Sequence, residues 1–98
     1  MRLVDLNPRF LDIDGDHPTH AGQRGCGIEC DCPCGKCGSR LPVIFKVALD
    51  GKSTPWGEGG WDRKGETFET LTLSPSIHRP PPHCGWHGYL INGEFISC

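Results

Sequence analysis

Apolar and polar positions alternate with a period of two in several short stretches of this chain, and no stretch shows convincing helical periodicity. In residues 66–73, Phe68, Thr70 and Thr72 fall on one side and Glu69, Leu71 and Leu73 on the other. That predicts a strand, ended by Ser74-Pro75. Ile28, Cys30 and Cys32 alternate with Glu29 and Asp31 and predict a second short strand. Residues 40–49 carry Val43, Ile44, Phe45, Val47 and Leu49 in a nearly continuous run, which predicts a strand covered on both faces. Leu3, Val4 and Leu6 predict a short edge strand, stopped by Pro8. The clearest local signal is the Asn92-Gly93 pair. Both central residues of a type I′ turn need positive φ, so this pair predicts a hairpin with Ile91 facing Glu94, Leu90 facing Phe95 and Tyr89 facing Ile96.

Between these runs lie long polar connections. Residues 52–65 hold Pro55, four glycines, Trp56 and Trp61 without a usable period, and read as a loop pinned by its tryptophans. Asp12-Ile13-Asp14-Gly15-Asp16 looks superficially like a calcium loop. Its glycine comes too early and no glutamate closes it, so a solvated acidic turn is the better reading. His17 and His20 follow as exposed loop histidines. Residues 77–82 end in three prolines and read as a stiff, polyproline-like lead-in to Cys84.

Composition sharpens the picture. The chain has 98 residues, with 14 Gly and 9 Pro, and only 36% are hydrophobic. That is the size of one domain, residues 1–98, whose core is thin and wants a staple. Seven cysteines supply one. An odd count fits a disulfide framework poorly. No apolar signal core or membrane-spanning run is present, so a reducing compartment, the cytoplasm, is expected, where clustered cysteines bind metal. The net charge of −2 ranks nucleic-acid binding low, since Arg40, Lys46, Lys52, Arg63, Lys64 and Arg79 are scattered.

Two half-sites carry the chemistry. Cys34-Gly35-Lys36-Cys37-Gly38 has the C-x-x-C-G form of a zinc knuckle, and Cys84-Gly85-Trp86-His87 offers a thiolate and an imidazole. Together they predict a Cys3His zinc site of Cys34, Cys37, Cys84 and His87. Cys32 lies in the same turn and competes with Cys34 or Cys37 for a place in it. Cys26, Cys30 and Cys98 are left over, with Cys98 either paired to one of them or free. The expected fold class is mainly β: a small, zinc-stapled antiparallel domain, Rieske-like or zinc-ribbon-like, with long loops and little or no helix.

Two resemblances follow from these residues. Cys84-Gly85-Trp86-His87-Gly88 before a hairpin resembles the second half of a Rieske motif, while Cys32-Pro33-Cys34 stands where that motif has C-x-H. A Cys3His [2Fe–2S] centre is the alternative cofactor this implies. The whole chain also resembles a group of short, cysteine-rich phage and prophage proteins, some labelled "ammonia monooxygenase". The resemblance rests on residues 2–8, on Asp31-Cys32-Pro33-Cys34-Gly35 with Lys36 inserted before Cys37, on residues 65–73 with Pro75-Ser76-Ile77, and on residues 84–98. It implies a phage origin, a zinc-bound β fold and no known reaction; with no signal core or membrane span, the host cytoplasm is the expected location. No copper-type histidine cluster supports the label.

The leading functional expectation is a small zinc-stabilised phage accessory protein that binds a protein partner, one form being inhibition of a host defence system. Residues 52–65 offer a surface for this. The alternative is an enzyme or redox protein using Ser76, Glu66, Glu69, His78 or His83, which no spacing ties together. Nucleic-acid binding ranks third, and no membrane partner is expected.

Overall fold

The computed structural model of the protein describes residues 1–13 and 22–98. Asp14, Gly15, Asp16, His17 and His20 fall outside them, so the acidic turn and its two histidines are not described. The fold is mainly β, with two antiparallel sheets and, among the described residues, no α-helix. The first sheet is β1 (Arg9–Ile13), β2 (Gln23–Asp31) and β3 (Arg40–Ile44), in that spatial order. The second is β4 (Asp62–Lys64), β5 (Thr72–His78), β6 (His87–Ile91) and β7 (Glu94–Ser97), also in order. Ile28, Cys30, Leu41 and Val43 from the first sheet, Leu73, Ile77, Leu90 and Phe95 from the second, and Phe45 and Leu71 just outside their strands share one cluster of buried side chains. A parallel bridge between Phe45 and Trp61 links the end of the first sheet to the start of the second.

The hairpin forms in the register its sequence predicts, with Ile91 opposite Glu94, Leu90 opposite Phe95 and Tyr89 opposite Ile96. Asn92 and Gly93 have φ of 48° and 77°, the left-handed pair of a type I′ turn. Gly93 is fixed twice over, because a Cβ there would lie 2.5 Å from the Glu69 carbonyl oxygen. The alternating cysteines of residues 28–32 lie on or just past β2, the central strand of its sheet.

Other expectations change. Leu3–Asp5 is a 3-10 turn rather than a strand, and Leu3 and Leu6 are buried by it. β3 is shorter than residues 40–49 and buried on one side only: Leu41 and Val43 point inward while Pro42 is exposed, as an edge strand permits. Of the two tryptophans in 52–65 only Trp61 packs against the core, and Trp56 stays half exposed. Residues 67–70 form a turn, and β5 runs on through Ser74-Pro75 to His78. Pro75 is tolerated because it sits in an irregularity. Between paired positions Leu73 and Ile77, β5 takes four steps while β6 takes two, from Leu90 to Gly88. Residues 79–86 are a closed loop and not an extended lead-in. The Arg79 N–H donates to the Trp86 carbonyl at 2.8 Å, and the Gly85 N–H donates to the Arg79 carbonyl at 2.8 Å.

Candidate metal centre and its neighbouring serine–histidine pair

One loop from each sheet meets at the same end of the molecule. The β2–β3 connection carries Cys32, Cys34 and Cys37, and the β5–β6 connection carries Cys84. Their four sulfurs lie within 4.8 Å of one another, an arrangement able to hold a metal ion. Tetrahedral zinc–thiolate bonds of about 2.3 Å put neighbouring sulfurs about 3.8 Å apart. The Cys32 and Cys84 sulfurs are 3.6 Å apart across 52 residues of chain. All seven cysteines are free thiols, including exposed Cys98 and buried Cys26 and Cys30.

Local backbone explains the cluster. Residues 32–39 fold tightly, with the Cys32 N–H donating to Ser39 and the Gly35 N–H donating to Cys32, at 3.0 and 3.1 Å. The Lys36 and Cys37 N–H groups then both donate to the Cys34 sulfur at 3.3 Å. Those two bonds hold the Cys34 thiol well below its ordinary range, at about 6, so it is ready as a thiolate ligand. Burial does the opposite to Cys32, pushing it up to about 12, so a bound metal ion would hold this sulfur as a thiolate only by displacing its proton to solvent. Cys30, buried beneath the sheet, is pushed up to about 12 by the same desolvation and stays a core thiol.

His87 does not join the four sulfurs. It is the first residue of β6, where it shares the outward face with Tyr89 and Ile91 while Gly88 and Leu90 point inward. The alternation of this strand turns its ring away from the interior, and its Nε2 lies 3.0 Å from the Ser76 Oγ. His78 pairs with His87 across β5 and β6, their ring centroids 5.0 Å apart. The extra residues in β5 put Ser76 on this same outward face, next to inward-pointing Ile77. The outward side chains Tyr89, Ile91 and Ile96 are 42%, 45% and 46% exposed, which places an apolar stripe beside the pair.

A short anchored turn connects the pair to the cysteine cluster. Trp86 is buried with its ring edge-on to Phe95 at 5.6 Å, and its Nε1 donates to the Ser97 Oγ at 3.1 Å. Such an aromatic pair adds about 0.5–1.5 kcal/mol beyond burial. Gly88 lies directly under that ring, where a Cβ would come within 2.7 Å of it. The Cys98 N–H donates to the His87 carbonyl at 2.9 Å. Cys84 and His87, three residues apart, are thus held at the two ends of one anchored turn.

Of the predicted ligands, the structure gathers Cys34, Cys37 and Cys84, adds Cys32 beside them rather than in place of one, and sets His87 apart. The Ser76–His87 pair was not tied together by spacing. Its signals were the proline inside an alternating strand, which marks a bulge, and the hairpin register, which sends His87 outward. Arg79, buried beside the cysteines, carried no signal beyond its charge.

No helix among the described residues is long and apolar enough to cross a membrane. No curated protein and no solved structure matches the chain. A family described as the bacterial ubiquitination-like system serine protease, BubE, matches residues 5–98, and its description mentions neither phage nor ammonia oxidation. Over nearly its whole length, then, this cysteine-clamped β protein belongs to the BubE family.

Proposed function

We propose that the protein is a serine peptidase acting on polypeptides, with Ser76 as nucleophile, His87 as general base and zinc on Cys32, Cys34, Cys37 and Cys84 as a structural staple. The observation that carries this is the 3.0 Å contact between the Ser76 Oγ and the His87 Nε2. In this reaction His87 takes the Ser76 proton as the Oγ attacks a carbonyl carbon. It then gives that proton to the departing amine, leaving an acyl ester on Ser76. Water, deprotonated by the same ring, attacks the ester and frees the acid. The family description, a serine protease of a ubiquitination-like system, supports an amide or isopeptide bond of a protein as the target. The open strand face supports it too, since a small polar substrate calls for a cleft.

Zinc is favoured because the four sulfurs close around a single point. A two-iron cluster spreads four thiolates over two metals. All four ligands are protein thiolates, which leaves the ion no open position for a water, so its role is structural.

The test is turnover of p-nitrophenyl acetate and of a labelled polypeptide by wild type, Ser76→Ala and His87→Ala. Each variant is expected to lose at least about a thousandfold in rate with its melting temperature unchanged. Undiminished turnover in Ser76→Ala would rule the reading out.

A second reading is favoured by the exposed Tyr89, Ile91 and Ile96 stripe: a protein-binding module that presents this face to a partner without cleaving it. It keeps the expectation of a protein-binding accessory, a phage inhibitor of host defence included, and moves the surface from residues 52–65 to β6 and β7. It predicts a stable complex that Tyr89→Ser weakens and Ser76→Ala leaves intact.

A further inference from the structure

Arg79 is buried, 8% exposed, and its Nη1 has no hydrogen-bond partner in the protein. A fixed positive charge in such a place is unfavourable unless something opposes it. No carboxylate lies within ion-pair distance of it among the described residues, whose ion pairs gather around Glu29, Asp31, Asp12, Glu58, Asp62 and Glu94. The cleft of about 270 Å³ that Arg79 lines holds Cys37 and Cys84 beside Ser39, Pro82 and His83, and Arg79, just past the end of β5, lies next to the Cys32 sulfur.

Four thiolates around a divalent ion together carry two net negative charges, which balance a buried guanidinium. We propose that Arg79 is the built-in countercharge of the metal–thiolate centre, so that metal binding and the burial of this arginine stabilise each other. The inference rests on the reading that the four cysteines hold a divalent ion. It adds that the ion also makes the Arg79–Trp86 loop tenable. When the ion leaves, nothing holds the four sulfurs together as an anionic centre beside Arg79, and the loop closed by Arg79 and Trp86 loosens. Arg79 immediately follows His78, so this couples the metal to the strand ends that carry Ser76 and His87.

Coupling of this kind is reciprocal. The experiment compares full-length wild type, Arg79→Met and Arg79→Lys, with Zn²⁺ affinity measured by chelator competition and melting followed with and without the metal. Wild type is expected to bind one Zn²⁺. Arg79→Met, which keeps the apolar stem but removes the charge, should bind Zn²⁺ at least about tenfold more weakly. Arg79→Lys should recover most of the loss. The signature lies in the melts. Arg79→Met should lower the midpoint of the zinc-loaded protein but leave the metal-free midpoint equal to wild type or higher, whereas a merely structural arginine would lower both. Equal Zn²⁺ affinity in wild type and Arg79→Met, or equal losses in both metal states, would overturn the proposal. A wild type that binds no Zn²⁺ would instead overturn the metal reading beneath it.

Discussion

Cys34 and Cys30 show how far one residue type is divided by its surroundings. Cys34 sits on a half-buried turn with two backbone N–H groups aimed at its sulfur, while Cys30 is fully buried in the strand before it. The first is held near 6 and the second pushed to about 12. After chelation of the metal, Cys34 should therefore react with iodoacetamide at neutral pH, and its rate should fall as pH drops through about 6 and the thiolate is protonated. Cys30 should stay unmodified across that range in the folded protein. Peptide mapping of the alkylated chain checks both. Preferential labelling of Cys30 would mean that the strand does not bury it. The residue types of the metal centre were legible in the sequence because an odd number of closely spaced thiols fits a metal better than a disulfide framework. The exclusion of His87 was not, since C-x-x-H spacing is equally compatible with a ligand and with a residue leaving the turn on an outward strand face.

The β6–β7 hairpin is the element on which the proposed catalytic pair depends, and it was the part of the fold most fully legible. Asn92-Gly93 fixes the turn, the turn fixes the register, and the register decides that His87, Tyr89 and Ile91 share a face. Replacing Gly93 by Ala should test this chain of consequences. A left-handed φ of 77° costs a non-glycine residue about 1–2 kcal/mol, and the added methyl meets the Glu69 carbonyl. The expected result is a loss of at least about 1 kcal/mol in urea unfolding, with hydrolysis reduced at the same time. Unchanged stability would show that the turn does not need its glycine. The β5 bulge was harder to read. Pro75 signals an interruption of the ladder, and the sequence alone does not distinguish a strand that ends there from one that bulges and continues. The ends of β3 and the loop at residues 79–86 were misplaced for a related reason: pairing partners far along the chain decide where a strand stops.

At the scale of the molecule, two antiparallel sheets share one modest core, and a loop from each meets its counterpart at the four cysteines. A chain of this size gains little from burial alone, so a metal that ties the sheets together at one end contributes directly to folding. The Ser76–His87 pair stands just outside that staple, on strands whose connecting loop holds Cys84 and Arg79. On the proposed reading, metal and chemistry are linked through the two residues between Cys84 and His87, and through the countercharge at Arg79. The most direct measurement is covalent labelling of the full-length protein with a fluorophosphonate, read by intact mass and peptide mapping, before and after removal of zinc. The account predicts one adduct per chain, on Ser76, in the zinc-loaded protein, absent from His87→Ala and largely lost on chelation. An adduct elsewhere, or equal labelling of Ser76 with and without zinc, would contradict it.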